Sequence, residues 1–121
     1  MRDNEATIEQ LKQIIKQYCE ERDWDQYHNP KELSIGVITE ASELLEHFRF
    51  KSEKEMLAML QDPKKRGEIS EEMADTLYFI LRLAQKYNID ITSAFEKKME
   101  KNKEKYPIEK AKGSNKKYNE L

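Results

Sequence analysis

The chain has 121 residues, 37% hydrophobic and 38% charged, a balance that fits one domain with a small core and argues against two. Three Gly and three Pro are too few to punctuate a many-stranded sandwich or barrel, and one cysteine, Cys19, excludes an internal disulfide framework and a cysteine-cluster zinc site. The net charge of -2 is unevenly spread: residues 97–121 hold nine Lys and four Glu, against 13 basic and 20 acidic residues in the remainder.

With a mean hydropathy of -1.00, apolar side chains must gather on one face of each element to form a core, which helices do most readily. The expected fold is therefore an all-α bundle of four to five helices, one domain over residues 1–121 with a basic tail from about 107. The opening MRDNEATIEQ lacks the basic-then-apolar layout of a secretory leader. The longest apolar run, residues 77–81, is far below the roughly 20 needed to span a bilayer. A soluble protein in the reducing cytoplasm, without a membrane partner, is the expectation.

Thr7 and Gln10 form a capping-box pattern ahead of Ile8, Leu11, Ile14, Ile15 and Tyr18, which recur at helical spacing and predict a first helix to about Arg22. Residues 23–30, DWDQYHNP, read as a loop. Asn29 and Pro30 then supply an N-cap and first-turn proline for a second helix to about Phe48. Ser52 and Glu55 cap a short third segment, and DPKKRG at 62–67 reads as a break. Ser70 is expected to cap the longest helix, to Tyr87; Asn88 breaks it. Asp90 or Thr92 opens the last helix, which Pro107 stops; the tail shows no apolar period.

Five pairs of acids lie three residues apart, and about five are expected by chance from 24 acids, so spacing alone carries no argument. Wheel position separates them. Leu33, Val37, Ala41, Leu44 and Phe48 fall within roughly 80° of one another, and Glu40 lies about 40° from Leu44. Glu43 follows along that flank, with His47 at i+4. The long helix carries one stripe of Met73, Leu77, Ile80, Leu81 and Ala84 and, on roughly the opposite side, a row of Glu72, Asp75, Phe79 and Leu83. A helix apolar on two sides needs cover on both, which points to a second subunit.

Carboxylates beside a core cost several kcal/mol each unless protonated, paired or bound to metal. No Lys or Arg falls in these rows, and oxygen-only ligation suits Mg²⁺ or Mn²⁺. The alternative is that the acids line a solvated flank, as most Glu residues do.

These residues resemble the MazG-like family of all-α nucleoside triphosphate pyrophosphohydrolases, whose hallmark is E-x-x-E followed after a helix-loop-helix interval by E-x-x-D. Here the motifs are Glu40 to Glu43 and Glu72 to Asp75, 28 residues apart. Residues 21–50, residues 71–90 and the KMEKNKEKYP segment are most similar to the dCTP pyrophosphatase branch, and the likeness spans most of the chain from about residue 8.

The resemblance implies a helical bundle completed by oligomerisation, as a dimer or dimer of dimers. It implies hydrolysis of a nucleoside triphosphate, such as dCTP or a related dNTP, to monophosphate and pyrophosphate. Glu40, Glu43, Glu72 and Asp75 would be the Mg²⁺ ligands, with Mn²⁺ a possible substitute, and Glu43 and Glu46 both remain candidates for the base that deprotonates the attacking water. Trp24 would line the base pocket, with Phe50 at a position where the branch often has another Trp. A His of some relatives falls at Ile15. Phe79, which continues the acid-headed row, is counted with the substrate-binding residues.

Asn102, Lys105 and Tyr106 match a family segment that reaches the nucleotide, and Lys98 lies one turn before Asn102. Plainer readings stand beside these: Trp24 and Tyr27 as a cluster anchoring the loop, the lysines as a solvated cationic helix end. A rival of another class is a non-catalytic helical module whose basic tail binds nucleic acid. It is disfavoured because nine Lys interspersed with Glu, and no Arg, read bases poorly and the acidic body opposes a polyanion. A structural oligomer that holds ions without turnover would leave Trp24 and Asn102 unused.

Overall fold

The computed structural model describes residues 1–121 and contains six α-helices, one 3₁₀ turn and no strand. The chain resolves into two compact units, Met1–Asn88 and Ile89–Leu121.

In the first unit, α1 (Ile8–Glu21) opens on the expected capping box, Thr7 and Gln10 each bonding the other's backbone N–H. It ends in a Schellman motif. Asp23 turns left-handed at φ 54°, its N–H reaches Glu20 O at 3.1 Å, and the Trp24 N–H reaches Cys19 O at 3.0 Å. The apolar contact that accompanies such motifs is present as an edge-on packing of Trp24 against Tyr18, ring centres 5.5 Å apart. The helix end thus fixes where Trp24 sits.

α2 (Pro30–Phe48) has its first-turn proline and Asn29, whose side chain accepts the Glu32 N–H at 2.8 Å. α3 (Glu53–Gln61) has the reciprocal Ser52 and Glu55 cap. α4 departs from expectation. It runs from Pro63 to Lys86, so DPKKRG is its first turns and not a break: Asp62 caps Lys65 N at 2.9 Å and Pro63 takes the first position, where a missing N–H costs nothing. Ser70, the expected cap, lies inside the helix and donates to Arg66 O at 2.7 Å. The left-handed Asn88, φ 55°, follows the end of α4 as expected.

α4 packs against α1, α2 and α3, most extensively against α2. Phe79 meets Gly36 of α2, while Asp75 and Tyr78 turn to α1, Asp75 lying about 60° round the helix from Glu72. Cys19, Leu33, Ile69, Leu81 and Ala84 form the small buried core. Of the predicted stripe only Leu81 and Ala84 are buried; Met73, Leu77 and Ile80 are exposed.

In the second unit, α5 (Ile91–Lys105) is capped by Asp90, which accepts Ser93 N at 2.8 Å, so Asp90 and not Thr92 opens it. Pro107 is followed by a single-turn α6 (Ile108–Ala111), an element the tail's composition did not predict. Tyr106 packs edge-on against Tyr118 with centres 6.2 Å apart, and the Lys105 ammonium lies 4.8 Å from the Tyr118 ring centre. No helix is long and apolar enough to cross a membrane.

Candidate active site

α2 and α4 bring three of the four predicted ligands together. Glu40, Glu43 and Glu72 each offer a carboxylate oxygen within 4.8 Å of the others. Glu40 and Glu72 are half-buried and Glu43 is exposed. One oxygen of Glu40 and one of Glu72, Oε2 in both, is buried without a hydrogen-bond partner. Buried oxygens left unpaired in this way are costly, and in native sites they face a cation, carry a proton or bind a water.

The electrostatics say the same. Burial, then the Glu43 carboxyl, then the charges of Asp75 and Glu72 push the Glu40 carboxyl up to about 7. Burial and Glu43 also raise Glu72, opposed by His47, whose Nε2 lies 3.7 Å from Glu72 Oε1. His47 was left out of the predicted site; its i+4 spacing from Glu43 was the available signal. The donor set is hard oxygen, with two orphaned buried atoms, and so fits Mg²⁺ or Mn²⁺.

Asp75, the fourth acid, lies outside that trio, about 60° round α4 from Glu72 on the side that faces α1. There it borders a cleft of about 380 Å³ with Ala74 and Tyr78 of α4, Ile14, Ile15 and Tyr18 of α1, and Trp24. Its charge still reaches Glu40. Asp75 therefore joins a carboxylate cluster to an aromatic and aliphatic cleft, suited to a flat, partly apolar group carrying a metal-seeking anion. The Tyr78 hydroxyl lies 3.2 Å from the buried Cys19 Sγ, and burial raises its pKa first, then Cys19. Tyr18 and Tyr78 were absent from the predicted binding residues, although Tyr78 follows Asp75 at the same three-residue step that marked the acids.

Trp24 is both loop anchor and cleft wall. Tyr27 is exposed and does not line the cleft. Phe50, left-handed at φ 64° and 90% exposed, stacks under Arg49 and is likewise not among the cleft's walls. Phe79 packs on Gly36. Glu46 is exposed and pairs with Arg49 at 3.4 Å, outside the trio. Lys98, Asn102, Lys105 and Tyr106 belong to the second unit, on α5 and its C-terminal cap.

Residues 35–121, which hold all four acids and most of α2, match the MazG-like family. The chain belongs to the MazG-like family. Among curated relatives, dCTP pyrophosphatase 1 of Rattus norvegicus is 34% identical over 117 residues, covering 97% of this chain and 69% of that protein. The Homo sapiens dCTP pyrophosphatase 1 is 33% identical over 117 residues with the same coverage. A solved pyrophosphatase from Archaeoglobus fulgidus superposes with a TM-score of 0.78 at 35% identity, covering 88% of this MazG-like chain and 98% of its own.

Proposed function

We propose that this MazG-like chain, a nucleotide pyrophosphohydrolase, cleaves dCTP or a closely related deoxynucleoside triphosphate with Mg²⁺, releasing the monophosphate and pyrophosphate. The observation that carries the reading is the junction at Asp75: orphaned carboxylate oxygens on one side, a cleft walled by Trp24 and Tyr18 on the other. The relatives' names point to the same substrate.

Glu40, Glu43, Glu72 and Asp75 would hold the metal, which when bound neutralises triphosphate oxygens and acidifies a water. Mn²⁺ can replace Mg²⁺ in such an oxygen set. Of the two candidate bases, Glu43 is the better placed, since it is exposed and within the cluster whereas Glu46 is engaged by Arg49. Water attacks one of the two phosphorus atoms joined by the α–β bridge as Glu43 takes its proton, and the bond from that phosphorus to the bridging oxygen breaks, leaving monophosphate and pyrophosphate. Trp24 stacks on the base, a contact available to any base through its π-face. Lys98, Asn102, Lys105 and Tyr106 of the second unit offer the charges and hydrogen bonds that a triphosphate and sugar take. The exposed Ile38 and Leu45 of α2 and Met73, Leu77 and Ile80 of α4 are the surface on which a homodimer, or a dimer of dimers, would close.

The test is product analysis by ion-exchange chromatography across all dNTPs and NTPs with Mg²⁺. The reading expects dCMP and pyrophosphate from dCTP, with weaker cleavage of other triphosphates. Release of a diphosphate and inorganic phosphate, or no cleavage of any triphosphate, contradicts it.

A further inference from the structure

Arg82 is the largest fully buried side chain, 1% exposed, and none of the chemistry above uses it. A guanidinium withdrawn from water needs partners for its fork of donors, and here each branch has one. Nε donates to His28 Nδ1 at 2.9 Å, one terminal nitrogen bonds Gln85 Oε1 at 2.5 Å, and the other bonds Asp25 Oδ1. His28 can accept at Nδ1 only as a neutral ring with its proton on Nε2. One turn on, the Lys86 ammonium donates to the backbone carbonyls of Asp25 and His28.

All of these loop partners lie between α1 and α2, on the segment that carries Trp24. That segment is thus fixed twice. The Schellman motif at Asp23 holds its start, and Arg82 with Lys86 holds its middle and end. Asp75, Tyr78 and Arg82 follow at i, i+3 and i+7, so one face of α4 presents the acid, a cleft wall and the clamp in succession.

We propose that Arg82 is a positioning residue for the nucleobase-binding loop, acting through Asp25 and His28 to hold the Trp24 indole at the wall of the cleft. The inference rests on the reading of Trp24 as a base-stacking residue. Lys at 82 would supply a point charge but could not fork to both His28 and Asp25.

Trp24 is the sole tryptophan, so its fluorescence reports on the loop without any nucleotide. Arg82→Met removes the fork at similar volume; Asp25→Ala removes the partly exposed end of the same pair and serves if Arg82→Met does not fold. Acrylamide quenching of Trp24, well below the melting temperature, is expected to rise about twofold in either variant, and KM for the best-cleaved triphosphate about tenfold with kcat within about twofold. Arg82→Lys should resemble Arg82→Met in both readings. Unchanged quenching, or raised quenching with unchanged KM, overturns the assignment. If the wild-type chain cleaves no triphosphate, the substrate reading fails, and unchanged quenching still overturns the clamp on its own.

Discussion

The ring of Phe79 in α4 lies directly against the bare Cα of Gly36 in α2, and a Cβ built at 36 would fall 2.4 Å from two ring atoms. This contact sets how closely the two helices that carry the acid trio approach. Gly36→Ala gains up to about 1 kcal/mol of helix propensity but forces the ring or the helix aside at a cost of about 1–3 kcal/mol. The expected net loss is about 1 kcal/mol, or about 4 °C in melting temperature by calorimetry. Metal affinity should fall with it, because the separation of Glu40 and Glu43 from Glu72 changes.

Stability without metal should fall as pH rises. Glu40 has a folded pKa of about 7 against an ordinary 4.5, and Glu72 is also raised, so the native state binds more protons than the unfolded state across this window. Their destabilisation starts above the unfolded value and is complete above about 7. Melting curves in EDTA should therefore show a decline from about pH 6.5, above which His28 no longer contributes, to pH 8, and Mg²⁺ at pH 8 should reverse it. A flat profile, unmoved by Mg²⁺, would mean the carboxylates do not repel one another.

His28 and Asp25 act in the opposite direction. Burial first, then Arg82 and Lys86, lower the His28 pKa, against the pull of Asp25; Arg82 lowers that of Asp25. The unfolded state binds the extra proton at His28 below about 6.5, so this stabilisation is lost as pH falls through that region, and that of Asp25 below about 3.8. Acrylamide quenching of Trp24 should rise on acidification below the ordinary His28 value of 6.5, whereas the Mg²⁺ effect on melting belongs to the carboxylates. The two pH responses can thus be read separately in one sample series.

Much of the first unit was legible because its signals are local. Thr7 with Gln10, Asn29 with Pro30, and Ser52 with Glu55 each satisfy helix-end donors within three residues, so the sequence carries the whole interaction. DPKKRG was misread because Asp-Pro can end one helix or begin the next, and the competition is settled by Asp62 doing both: it caps the end of α3 and the start of α4. The acids were found from their wheel positions, but grouping Glu72 with Asp75 on one row hid the turn that sends one to α2 and the other to the cleft. Phe79 on Gly36 and Arg82 on Asp25 join residues more than 40 positions apart, and no local pattern encodes such a pairing.

Trp24→Ala should weaken nucleotide binding more than it lowers stability. The indole wall of the cleft is lost, while the Schellman backbone bonds and the Arg82 clamp that fix the loop remain. Base stacking of this kind is worth about 1–3 kcal/mol, or about 5- to 150-fold in affinity. Titration calorimetry with a non-hydrolysable triphosphate, paired with melting, separates the roles: equal losses in both would favour a purely anchoring tryptophan.

The most direct test is the Mg²⁺ dependence of pyrophosphate release by the wild type, Glu43→Gln and Asp75→Asn. The wild type should be inactive in EDTA and gain activity with Mg²⁺ or Mn²⁺. Each variant should lose about 100-fold or more in kcat while remaining folded, since each removes a charge that the transition state requires. Cleavage that ignores the metal, or that survives both substitutions, would contradict a carboxylate metal centre between α2 and α4.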